Sequence, residues 1–91
     1  MITAIVLINV SRGQVSHIAT GLAEMSGISE VYSVGGRYDL VALIRVESNE
    51  DLADLVTTHI SKLKGIEKTE TLISFRTYSR HDLESMFSVG M

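Results

Sequence analysis

The sequence predicts an α+β domain, a four-stranded antiparallel sheet with two helices on one face. Three observations carry that prediction. Residues 2–10 and 40–47 are near-continuous apolar segments rich in β-branched residues. Each is followed by a stretch whose apolar residues recur with helical period. Each such stretch ends at a Gly-Ile pair, Gly27-Ile28 or Gly65-Ile66, that opens another strand.

The first strand, residues 2–10, is apolar enough to be buried on both faces, and Ser11-Arg12-Gly13 breaks it. Residues 14–25 follow as a helix, because Val15, Ile18, Ala19, Leu22 and Met25 share one face. Gly27 stands just past its end, where a left-handed residue is wanted. Residues 28–34 form a second strand, Gly35-Gly36-Arg37 a turn, and residues 40–47 a third strand, so the pair reads as an antiparallel hairpin. Ser48 caps a second helix with acids in its first turn. Its apolar stripe is Leu52, Leu55, Val56, His59, Ile60 and Leu63, which makes His59 a packed histidine. Residues 66–76 form a fourth strand. Leu83, Met86 and Phe87 then share one face of a short terminal helix that opens near Ser79.

The halves echo one another. Residues 4–10 (Ala-Ile-Val-Leu-Ile-Asn-Val) resemble residues 40–46 (Leu-Val-Ala-Leu-Ile-Arg-Val). The order β-α-β-β-α-β is the ferredoxin-like split, and right-handed crossovers put both helices on one face. The other face is too apolar to stay wet. A second copy stacked sheet to sheet, about 10 Å away, would cover it, so the expectation is a homodimer, a dimeric α/β sandwich. The domain is assigned to residues 1–76 and a tail to residues 77–91.

Composition excludes several classes. The chain has 91 residues, room for one core only. With 45% hydrophobic and 21% charged residues it is too apolar for a disordered chain. No apolar run approaches the roughly 18 residues of a membrane span. Met1-Ile2-Thr3-Ala4 offers no basic signal region, so a cytoplasmic location is expected. Without Cys there is no disulfide, thiolate metal site or thiol nucleophile. A net charge of −3 and scattered basic residues argue against direct nucleic-acid binding. His17, His59 and His81 lack metal-ligand spacing, so neither a metal nor a cofactor is expected.

No catalytic set stands out. There is no Gly-x-Ser-x-Gly elbow, and Asp39 as a general base has no acid partner. Gly35-Gly36 joins two strands and lacks nucleotide-loop spacing.

The informative stretch is Val34-Gly35-Gly36-Arg37-Tyr38-Asp39-Leu40. An acid at the mouth of a buried strand costs desolvation unless something pairs with it. Glycine-turn amides can hold an anion, and Asp39 beside them can accept from an ammonium group. Together they suit a zwitterion such as an amino acid. Asp39 can equally cap the turn by bonding backbone amides. On the fourth strand Thr69 and Thr71 share one face, Lys68 and Glu70 the other. The paired hydroxyls offer a polar contact, or simply reflect β-propensity.

Three elements in register resemble the effector domain of the Lrp/AsnC transcription regulators, also called the RAM domain. They are Gly27-Ile28-Ser29-Glu30-Val31, then Val34-x-Gly36-x-Tyr38-Asp39-Leu40, then Leu63-x-Gly65-Ile66-x-x-Thr69-x-Thr71. The resemblance covers residues 2–76. It implies sheet-mediated dimers, assembly into tetramers or octamers, and amino-acid binding between dimers. It makes Gly36, Tyr38 and Asp39 ligand contacts, with Thr69, Glu70 and Thr71 as further candidates. Family regulators carry an N-terminal helix-turn-helix domain. Here the first strand begins at Ile2, so the expectation is a stand-alone form that acts on transcription through oligomerisation or by joining full-length regulators. A ligand-independent interaction module and a small dimeric enzyme are the alternatives. Asp39→Ala is expected to remove ligand-induced stabilisation and leave the dimer intact.

Overall fold

The computed structural model describes residues 1–80. The elements are β1 (Ile2–Val10), α1 (Val15–Ala23), β2 (Ile28–Ser33), β3 (Leu40–Val46), α2 (Asn49–Asp54) and β4 (Ile66–Ile73). The strands form one sheet in the order β2-β3-β1-β4, every neighbouring pair antiparallel. This is the ferredoxin-like βαββαβ arrangement. The tail's expected helix through Phe87 lies, from residue 81 onward, outside the described residues.

The two most apolar strands, β1 and β3, pair at the centre, with Val6 opposite Ala42. Side chains alternate across a strand, so one register decides both faces. Ala4, Val6, Ile8, Leu40, Ala42 and Ile44 point toward the helices and are fully buried beside Ile18 and Leu22 of α1. Ile5, Leu7, Val41 and Leu43 point the other way and are half-buried. The first strand is therefore not buried on both faces within one protomer, because the helices cover only one.

The start of β2 depends on Gly27. Its φ is +96°, and a Cβ there would lie 2.9 Å from Val46 Cγ1 and 3.2 Å from Leu55 Cδ2. Only glycine combines that conformation with so close an approach. Gly65 repeats the conformation at the start of β4, with φ +105°. The echo extends further. Ile28 pairs with Ile44 but Glu30 with Leu43, leaving Ser29 as an extra residue. Likewise Ile66 pairs with Val10 but Lys68 with Asn9, leaving Glu67 extra. Each Gly-Ile pair thus leads into a bulge, which bends the strand and re-aims its side chains.

Ser48 caps α2 as expected: Asp51 N–H donates to Ser48 Oγ at 3.2 Å. The helix does not then run as one regular α-helix. It widens into a π-helical turn over Leu55–His59 and tightens into a 3₁₀ turn over Ile60–Lys62. Ile60 N–H donates to the Leu55 carbonyl, five residues back. The wider turn keeps Leu55 and Ile60 in the core and rotates His59 outward. His59 is thus exposed and pairs with Asp54 at 3.2 Å, against the expectation of a packed histidine.

The helix layer covers the sheet unevenly. α1 packs on β2 and β3, and α2 packs on β3. Ile28 of β2 is 8% exposed on that side, whereas Ile73 of β4 is 53% exposed.

Candidate functional site

The segment between β2 and β3 is tied to the end of β1, not left as a free hairpin turn. Val34 N–H donates to the Asp39 carbonyl at 3.0 Å, and Asp39 N–H to the Ile8 carbonyl at 2.9 Å. Asn9 Nδ2 donates to the Arg37 carbonyl at 2.8 Å. Asp39 Oδ2 accepts from Val10 N–H at 2.9 Å. The carboxylate therefore already has a structural role, because it satisfies the amide at the end of β1, where the bulge disturbs the ladder. Its bond crosses to another strand, whereas the capping alternative put it on amides of its own turn.

This anchoring holds Tyr38 over β4. Tyr38 OH donates to Glu70 Oε1 at 3.4 Å. A shallow cleft of about 510 Å³ opens there, lined by Leu7, Asn9, Arg37, Tyr38, Lys68 and Glu70. The register explains this lining. Leu7 pairs with Glu70 and Asn9 with Lys68, so all four project from the sheet face away from the helices. The cleft thus joins two cations, one carboxylate, a phenol and a carboxamide at one corner of an apolar surface. Arg37 and Lys68 can donate to a carboxylate, and Glu70 can accept from an ammonium group.

Of the residues singled out from sequence, Tyr38 and Glu70 meet in this cleft. Gly36 lies in the loop that forms its rim, and Asp39 fixes that loop from behind. Thr69 and Thr71 pair with Ile8 and Val6 and so take the opposite face, toward the helices. Thr71 lines a different groove, with Leu52 and Val56 of the second helical segment. Within one protomer, the cleft beside Tyr38 includes Glu70 but not the two threonines. Sequence reasoning does not single out Lys68, Arg37, Asn9 or Leu7 as site residues. The alternation along β4 already paired Lys68 with Glu70; only the pairing with β1 shows what they face.

Residues 3–83 match the Lrp/AsnC ligand-binding domain. The chain belongs to that family. The transcriptional regulator FL11 of Pyrococcus horikoshii is 36% identical over 75 residues, which are 82% of this chain and 49% of FL11. This Lrp/AsnC domain thus spans about half the length of the curated relatives it matches. Those relatives are named transcriptional regulators. The crystal structure of TTHA0845 from Thermus thermophilus superposes with a TM-score of 0.83 at 50% identity, covering 88% of this chain and 100% of that one. A regulator of Neisseria meningitidis, NMB0573, solved as a complex with L-Met, shares the fold: TM-score 0.78, 7% identity, 87% of this chain and 53% of that one. No helix among the described residues is long and apolar enough to cross a membrane.

Proposed function

We propose that this Lrp/AsnC domain acts as an effector module that binds a small amino-acid-type ligand and answers by a change in assembly. The observation that carries this reading is the cleft at the end of β1. Glu70 and Tyr38 line a space of about 510 Å³ together with Arg37 and Lys68, a charge pattern complementary to a zwitterion. The Neisseria regulator that shares this fold was solved as a complex with L-Met.

The assembly half of the reading rests on the sheet face away from the helices. Ile5, Leu7, Val41 and Leu43 stand at its centre, and Leu72 is 46% exposed beside them. Glu30, Arg45, Lys68 and Glu70 rim it, the apolar centre and polar border of an interface. A second copy of the chain stacked on this face makes the homodimer. Because the cleft opens at the border of that face, ligand and association are linked. A ligand seated between dimers would favour the tetramer or octamer and, through it or through full-length regulators, affect transcription.

A dye-based thermal melt across the twenty amino acids tests the reading. A ligand at 100 times its dissociation constant stabilises a fold by about 2.7 kcal/mol, a visible shift of the midpoint. The expected result is a selective shift that Glu70→Gln removes without lowering the unliganded midpoint. The Asp39→Ala test is less clean, because it also strips the partner from Val10 N–H. A flat panel, with dimers intact by analytical ultracentrifugation, would favour the second reading. In that reading the apolar sheet face serves a ligand-independent interaction module.

A further inference from the structure

The cleft beside Tyr38 is unbalanced in charge. Two cations line it, Arg37 and Lys68, against the single carboxylate of Glu70. Its other side chains, from Leu7, Asn9 and Tyr38, add no formal charge at neutral pH. Among the described residues, neither Arg37 nor Lys68 has an ion-pair partner. Asp39 stands two residues from Arg37, yet its carboxylate accepts from Val10 N–H and does not line the cleft.

Backbone geometry, not mutual attraction, brings these charges together. Asn9 Nδ2 donates to the Arg37 carbonyl, which fixes the base of Arg37 independently of its side chain. Lys68 and Glu70 lie two residues apart on β4, so they leave one face of the sheet with bases roughly 7 Å apart. Leu7, opposite Glu70, supplies the aliphatic part of the lining.

A zwitterion with one carboxylate pairs with Glu70 and one cation, and the second cation is left over. On an isolated protomer that costs little, because Arg37 and Lys68 are exposed. Between dimers both lose water, and an unpaired charge there is expensive. A ligand with two carboxylates and one ammonium group leaves no charge unmatched. Each of its three charged groups then has a charge-assisted partner.

We infer that the effector is an acidic α-amino acid, aspartate or glutamate, with its two carboxylates held by Arg37 and Lys68 and its ammonium group by Glu70. This rests on the cleft being the effector site. Arg37 and Lys68 then determine specificity: one takes the carboxylate common to all amino acids, the other selects the acidic side chain. Glu70 separates an amino acid from a plain dicarboxylate. A basic amino acid is rejected, because its additional cation meets like charge.

Isothermal titration calorimetry of the full chain compares L-glutamate and L-aspartate with L-glutamine and L-asparagine, which have nearly the same shape and one carboxylate fewer. The expected result is a preference of about tenfold or more for at least one acid over its amide, the effect of one charge-assisted contact. That ratio should fall several-fold in Arg37→Gln or in Lys68→Gln. It compares two ligands on one protein, so a general loss of stability or assembly does not move it. Glutarate, which has two carboxylates and no ammonium group, should bind several-fold more weakly than L-glutamate, and Glu70→Gln should close that gap. A neutral or basic amino acid that binds as tightly as both acids would overturn the inference and leave the cleft an effector site. Glutarate binding as tightly as L-glutamate would overturn it in favour of a dicarboxylate. A preference unchanged in both cation variants would overturn the roles of Arg37 and Lys68. Binding of none of the twenty amino acids would overturn the effector reading itself, and this inference with it.

Discussion

β2 and β4 close the two edges of the sheet, and they begin alike. Each follows a positive-φ glycine, places an isoleucine toward the helices and bulges one residue later. Their surroundings differ. α1 buries Ile28, and Ile66 packs against the same core, but Ile73 at the far end of β4 stands beside an open groove. The same sequence device thus sets the start of a strand without setting what covers its far end. Coverage depends on where each helix lies, and the second helical segment changes its winding midway.

The largest test of this contrast is a pair of truncations. Ile28→Ala removes side-chain volume from a closed site, and such losses run to about 2–5 kcal/mol. Ile73→Ala, at a half-exposed site, should cost less than about 1 kcal/mol by the same transfer argument. Urea unfolding of both variants decides the point. Equal losses would mean that the groove beside β4 is filled in solution.

The two glycines offer the next contrast. At Gly27 a Cβ meets Val46 at 2.9 Å and Leu55 at 3.2 Å; at Gly65 the nearest atom is Gln14 Cγ at 3.3 Å, on a flexible side chain. Both alanine variants carry the cost of a positive φ, of order 1 kcal/mol. Gly27→Ala adds overpacking, typically about 1–3 kcal/mol. Its denaturation midpoint should therefore fall below that of Gly65→Ala, and the reverse order would show that crowding at Gly27 is relieved at no cost.

At the cleft, fold and ligand are separable. Asp39→Ala leaves the Val10 amide without its partner and should cost about 1–3 kcal/mol in the absence of any ligand. Glu70→Gln leaves every backbone bond in place and should change the midpoint little. If both variants melted alike, Asp39 would have no structural role.

The helix starts differ too. Ser48→Ala removes a cap bond and should cost about 1 kcal/mol. Gln14, which makes no side-chain cap bond at the start of α1, should be replaceable by Ala with almost no loss.

The smallest effect is a titration. Tyr32 OH hydrogen-bonds the Glu30 carboxylate, and that bond, with the adjacent negative charge, raises the phenol above its usual range. Ionisation removes the donated proton, so the phenol keeps it to higher pH. Ultraviolet titration should show Tyr32 ionising late, an effect that Glu30→Gln removes.

Much of this was legible without coordinates. Hydrophobic period, Gly-Ile punctuation and the Ser48 cap each act over a few residues, and local rules read them. The bulges were not legible, because an extra residue has meaning only against a partner strand. His59 was misread because its helical stripe assumes uniform α winding. A single i→i+5 turn shifts the phase of every residue after it.

The site divided along the same line. The sequence by itself determined that Tyr38 and Asp39 flank a glycine turn and that Lys68 and Glu70 share a face, since chain geometry at that range admits few alternatives. Only the tertiary structure decided that Asp39 serves Val10, that Tyr38 meets Glu70, and that Thr69 and Thr71 look elsewhere. Those outcomes follow from the pairing of β1 with β4. A one-residue slip there would exchange the two faces of β4, and no local propensity distinguishes the two registers.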